Sequence, residues 1–137
     1  MANKIAVIGF GNIAKAIITP LFDKNLLNPK DVYCLVNTKK SLENVKKNYN
    51  YGINIFQANS QDSSIIWDCP TKLLCVKPQQ LKNVIEIEKD RSNKDLLVSI
   101  LAGVSLEKLK KRFPNHKCTK VVTNIPITIG KGLTGIT

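Results

Sequence analysis

The sequence predicts an α/β fold: one doubly wound, mainly parallel sheet with helices on both faces. Three observations carry this. Short apolar runs alternate with amphipathic stretches almost from the first residue. Strands that are apolar throughout have both faces covered, as in parallel sheets between helix layers. The segment Gly9-Phe10-Gly11-Asn12-Ile13-Ala14 falls between the first apolar run and the first amphipathic stretch, where a strand turns into a helix. Finally, 137 residues at 43% hydrophobic and 23% charged make one domain that can bury a core.

The elements follow in order. Lys4 to Gly9 (KIAVIG) is a buried strand closed by glycine. Asn12 to Lys24 carries Ile13, Ala16, Ile17, Pro20 and Leu21 near helical spacing, with Pro20 implying a kink or an early end. Asp31 to Val36 is a second strand. Ser41 to Tyr49 is a polar helix with Leu42 and Val45 inward. Ile53 to Ala58 is a weaker third strand, and Asn59 to Trp67 a short helix. Thr71 to Val76 is the fourth strand, stopped by Pro78, with a helix over Gln79 to Ile87. Leu96 to Leu101 is the fifth strand. Ser105 opens a helix with Leu106 and Leu109 inside, and Pro114 lies beyond its end. Cys118 to Val122 is the sixth strand. Ile125 to Thr137, rich in glycine and threonine, has no clear helix.

Composition narrows the function. No apolar run approaches the roughly 20 residues of a membrane span, and no signal-peptide pattern opens the chain, so no membrane partner is expected. The net charge of +11 comes from 21 basic and 10 acidic residues. It fits a lysine-rich surface or an anionic ligand. Base stacking would require aromatics among the charges. Only Phe113 accompanies the cluster Lys108, Lys110, Lys111, Arg112 and Lys117, so nucleic acid is not the expected partner. Cys34, Cys69, Cys75 and Cys118 share no metal-ligand spacing, and His116 is the single histidine. No metal site is expected. Free thiols point to a reducing cytoplasm. His116, in a polar PNHK turn, reads as a surface residue.

The glycine segment matches G-x-G-x-x-A at a strand-to-helix junction, the fingerprint of a Rossmann-type dinucleotide-binding domain. Gly9 permits the turn, Gly11 lets a pyrophosphate approach the backbone, and Ala14 lets the helix lie close to the sheet. Free N–H groups at the helix start then face the phosphates. Ile8, Phe10, Asn12 and Ile13 complete the loop. After the second strand, an acidic residue would bind the ribose hydroxyls of NAD. Here the run is Val36-Asn37-Thr38-Lys39-Lys40-Ser41, with no carboxylate. Asn37 and Thr38 can donate to a phosphate and Lys39 or Lys40 can add charge. The expected cofactor is NADP(H), with NAD(H) as the alternative; a solvated basic turn is the plain alternative for this run.

Three later segments form a pattern: Cys75-Val76-Lys77-Pro78-Gln79, Val98-Ser99-Ile100-Leu101-Ala102-Gly103-Val104-Ser105-Leu106, and Val121-Val122-Thr123-Asn124-Ile125-Pro126 followed by Gly130-Lys131-Gly132-Leu133-Thr134. With the GFGNIA loop, they resemble the pyrroline-5-carboxylate reductase family along the whole chain. That family reduces 1-pyrroline-5-carboxylate to proline with NADPH or NADH. The resemblance implies that Val76, Lys77 and Pro78 line the nicotinamide and its ribose, and that Ala102 and Gly103 form the neighbouring wall. It implies that Asn59 approaches the adenosine half and that Asn124 faces the substrate. By their residue types alone, Lys77 could be a surface lysine, Gly103 a turn residue and Asn124 a loop support. Lys120 stands where the family usually has arginine, and Val122 and Ile125 replace its methionine and threonine.

The resemblance also implies a helical, dimer-forming second half that is absent from residues 1–137. This chain therefore reads as the cofactor domain, able to bind cofactor but turning over slowly or not at all alone. No catalytic residue can be assigned. The apolar stretch Ile125, Ile127, Ile129, Leu133 and Ile136, left bare, predicts self-association or exchange of strands between chains. The expected partners are a small-molecule substrate and either further copies of this chain or a separate substrate-domain chain. Other classes consistent with the sequence are a reductase with a 6-phosphogluconate-dehydrogenase-like or F420-dependent cofactor domain, and a non-catalytic regulatory subunit that binds NADP.

Overall fold

The computed structural model describes residues 4–87, 94–123 and 134–136. Six parallel strands form the sheet: β1 (Ile5–Ile8), β2 (Val32–Val36), β3 (Asn54–Gln57), β4 (Thr71–Leu74), β5 (Asp95–Ser99) and β6 (His116–Thr123). A short antiparallel strand, β7 (Thr134–Ile136), pairs with β6. The order β3-β2-β1-β4-β5-β6-β7 puts β1 between β2 and β4. In open sheets of this kind, ligands bind where the strand order reverses.

The two faces are covered by different elements. On one, α1 (Asn12–Asp23) buries Ala14, Ile18 and Phe22 while α2 (Lys39–Asn48) buries Val45; they meet Val7, Val32 and Cys34 of the sheet. On the other, the 3-10 helix Gln61–Asp68 and α3 (Leu106–Arg112) place Ile66, Trp67 and Leu109 against Ala6, Ile8 and Leu97. This is the doubly wound architecture the alternation predicts.

Several boundaries differ from expectation. α1 runs through Pro20 to Asp23 rather than ending early. Pro20 lacks an N–H, but its carbonyl still accepts from Lys24 N (3.0 Å) and so closes the last turn. α2 begins at Lys39, because the Thr38 hydroxyl accepts from Ser41 N (3.1 Å) and caps it. Residues 59–67 form a 3-10 helix only from Gln61; Asn59 itself has φ 66. The expected helix over Gln79 to Ile87 is a single 3-10 stretch, Pro78–Asn83. From Val84 the chain is extended, because its carbonyl is taken by Arg112 Nε (3.1 Å). α3 matches the reading: Ser105 accepts from Lys108 N, Glu107 lies in the first turn, and Lys110, Lys111 and Arg112 sit at the negative end of the dipole.

His116 corrects the sequence reading most clearly. It is the first residue of β6, paired with Asp95, and only 8% exposed. The strand starts two residues before the expected Cys118 and draws the imidazole inward. There it meets the edges of Trp67 (5.7 Å between centroids) and Phe113 (6.4 Å). Nearby, Lys72 of β4 is fully buried. Its ammonium donates to Asp95 Oδ2 (2.7 Å) and to the Trp67 carbonyl (3.1 Å).

Candidate functional site

A cleft of about 560 Å³ opens at the carboxyl ends of β1, β2 and β4. Its floor is the turn after β1. Gly9 has φ +87, and a Cβ there would lie 2.9 Å from both the Val76 backbone nitrogen and its Cγ1. Gly9 N donates to the Leu35 carbonyl (2.8 Å), tying the turn to β2. Glycine is therefore required here by the protein itself. Gly11 differs. Its φ of −90 suits any residue, and a Cβ would meet nothing within 4 Å among the described residues. The space beside it is open, as close approach of a ligand to the backbone needs. Gly11 also caps α1 without a side-chain hydrogen bond, so first-turn N–H groups remain available to an anion.

The second wall comes from β2. Asn37 and Ser41 line the cleft, and the exposed Lys39 and Lys40 lie between them at the start of α2. Among the described residues lining the cleft none carries a carboxylate, and Lys77 is the one charged side chain. Thr38 is engaged elsewhere: its hydroxyl donates to Ser41 Oγ (2.9 Å) as well as capping α2.

Ile8, Gly9, Phe10, Gly11, Asn37, Asn59, Val76 and Lys77 all border the cleft. Asn12 and Ile13 are exposed on the first turn of α1, and Ala14 is buried beneath it. Thr38, Lys39 and Pro78 stand just beyond the cleft lining, at the starts of their helices. Ala102 and Gly103 (φ +74) form an exposed turn after β5 and are not among the lining residues. Asn124 lies outside the described residues, as do Ile125, Ile127, Ile129 and Leu133.

Sequence reasoning missed the far wall. Trp67, Val84, Ile85 and Ile87 line it, with Ile85 74% exposed and Ile87 42% exposed. The signal was the apolar alternation Val84, Ile85, Ile87 around Glu86, which reads equally as one face of a helix. Cys75 also lines the cleft. Burial pushes its thiol up to about 12, so it is a neutral wall rather than a nucleophile.

Comparison with known proteins accords with this arrangement. Residues 4–103 match the profile of the family described as NADP oxidoreductase, coenzyme F420-dependent. The chain belongs to this family. It is also similar along its whole length to pyrroline-5-carboxylate reductases, as the sequence pattern implied. The enzyme of Synechocystis sp. is 30% identical over 136 residues, covering 99% of this chain and 49% of the relative. A solved pyrroline-5-carboxylate reductase from Coxiella burnetii superposes with TM-score 0.79 at 26% identity, over 99% of this chain and 49% of that one. A Plasmodium falciparum pyrroline carboxylate reductase solved with NADP bound shares the fold, with TM-score 0.71 at 20% identity, over 100% of this chain and 48% of that one. The chain thus spans about half the length of the relatives it matches, and it is similar to their N-terminal half. Among the described residues no helix is long and apolar enough to cross a membrane.

Proposed function

We propose that this chain is the NADP(H)-binding domain of a reductase that converts 1-pyrroline-5-carboxylate to proline, with the substrate side completed by a second domain or chain. The observation that carries the cofactor reading is the open space beside Gly11 at the start of α1. The fold does not need a glycine there, but a pyrophosphate does.

The residues present fit the cofactor. The loop Ile8-Gly9-Phe10-Gly11 and the first-turn N–H groups of Asn12, Ile13 and Ala14 would hold the pyrophosphate. Asn37, with Lys39 and Ser41, would hold the 2′-phosphate, with Thr38 serving as the cap of α2 beside them, since none of the described lining residues carries a carboxylate to repel it. Asn59 would border the adenosine half. Val76, Lys77 and Pro78, with Ala102 and Gly103, would line the nicotinamide side, and Asn124 would face the substrate. Bound NADPH supplies the hydride for reduction of the imine carbon. The chain's own task is to orient the dinucleotide and exclude water from it.

The activity is tested by joining residues 1–137 to the C-terminal half of the Synechocystis relative and following NADPH consumption with pyrroline-5-carboxylate. Steady turnover by the joined protein, with little by the chain alone, is the expected result. NADPH binding without turnover on that substrate would reject the assignment. The matched family profile names F420-dependent chemistry, so a substrate panel including reduced F420 is the test of the second reading, another NADP reductase.

A further inference from the structure

The far wall of the cleft is held from outside. Ile85 and Ile87 border the cleft, while Glu86 between them is bonded away from it. One Glu86 oxygen accepts from Asn115 N (3.2 Å) and Asn115 Nδ2 (2.7 Å). The other accepts from His116 Nδ1 (2.6 Å). Arg112 Nε donates to the Val84 carbonyl (3.1 Å), and its Nη2 donates to the Lys82 carbonyl. Three residues from the α3–β6 corner thus grip the end of the 3-10 stretch and the extended residues that follow it. Extended backbone alternates its side chains, so gripping Glu86 from one side presents its two neighbours to the other. Without that grip, nothing in the local sequence would keep an isoleucine as exposed as Ile85 at the cleft mouth.

We propose that Glu86 is a positioning residue for the cleft: by bonding Asn115 and His116 it sets residues 84–87 as the apolar wall, and so sets the affinity for the dinucleotide. The second half of this statement rests on the cleft being a nucleotide site. The first half does not.

Trp67 makes the two separable. It is the chain's single tryptophan, it lines the same cleft, and its ring contacts His116. Quenching of its fluorescence by acrylamide reads the wall without any ligand. In the full chain, Glu86→Ala is expected to raise the quenching constant about twofold and weaken NADPH about tenfold, the scale of one charge-assisted hydrogen bond. Glu86→Gln retains an acceptor for Asn115 and should recover most of both. A core variant on the opposite face, Ile18→Val, is expected to lower the melting temperature while leaving both unchanged. Should Glu86→Ala fail to fold, Arg112→Lys, which cannot grip both carbonyls, carries the same expectation. Unchanged quenching in the folded variant overturns the grip. Raised quenching with wild-type NADPH affinity overturns its link to binding. If the unaltered chain binds no NADPH, the nucleotide reading fails, the link to affinity fails with it, and quenching alone decides the grip.

Discussion

The two ends of the sheet handle polar groups in opposite ways. At the amino ends, the fully buried Lys72 is bonded to Asp95 and to the Trp67 carbonyl. At the carboxyl ends, the N-terminus of α1 has no side-chain cap and Asn37, Lys39, Lys40 and Lys77 lie exposed. The first end spends its polar groups on the fold. The second leaves them exposed, and no carboxylate is found among the described residues lining the cleft, which suits an anionic ligand such as a dinucleotide. The same division appears within one turn: Gly9 is confined by Val76, and a Cβ at Gly11 meets nothing within 4 Å among the described residues.

Substitutions can break that division. Gly9→Ala combines a positive φ with a Cβ 2.9 Å from backbone. It should lower stability in urea unfolding by about 3 to 4 kcal/mol; a loss under about 1 kcal/mol would mean the turn is not confined by Val76. Lys72→Met leaves the Asp95 carboxylate without its closest cation. A loss of about 3 kcal/mol is expected, with NADPH affinity preserved at temperatures where the chain stays folded. Gly11→Ala reverses the pattern. Stability should stay within about 1 kcal/mol of the original, while NADPH weakens roughly a hundredfold. An unfolded Gly11→Ala would move this residue to the structural side of the comparison.

Smaller effects sharpen it. Asn37→Asp puts a carboxylate where a 2′-phosphate would lie, so the NADPH-to-NADH affinity ratio should drop about tenfold. The last prediction concerns pH. Burial chiefly holds the His116 imidazole below its ordinary 6.5, with the Lys72 charge adding to this and Glu86 opposing it. Nδ1 faces Glu86 while the buried Nε2 has no partner among the described residues, so protonation would strand an N–H. The unfolded chain takes up the proton more readily. Stability is therefore complete above pH 6.5 and falls as pH drops through the lower folded value. Melting curves from pH 7.5 to 5 should show this slope, and His116→Gln should flatten it.

What could be read from the sequence follows from what is local. The glycine loop was legible because its strand, turn and helix are consecutive, and the missing carboxylate after β2 lies in the same short run. Ser105 was legible as a cap for the same reason. His116 was not, because its burial depends on Trp67 and Glu86, which are remote in the chain. Lys72 reads as a strand lysine until Asp95 is folded beside it. The run after Pro78 has helical spacing, yet Arg112 and Asn115 draw it out straight. The glycine-loop side of the cleft is written in short motifs, while its far wall and the amino ends of the strands rest on long-range pairs.

The most direct test of the account is a calorimetric titration of the folded chain with NADPH and, separately, with NADH. Saturable one-to-one binding of NADPH is expected, with NADH clearly weaker. Binding of neither by a chain that melts cooperatively, or tighter binding of NADH, would contradict it.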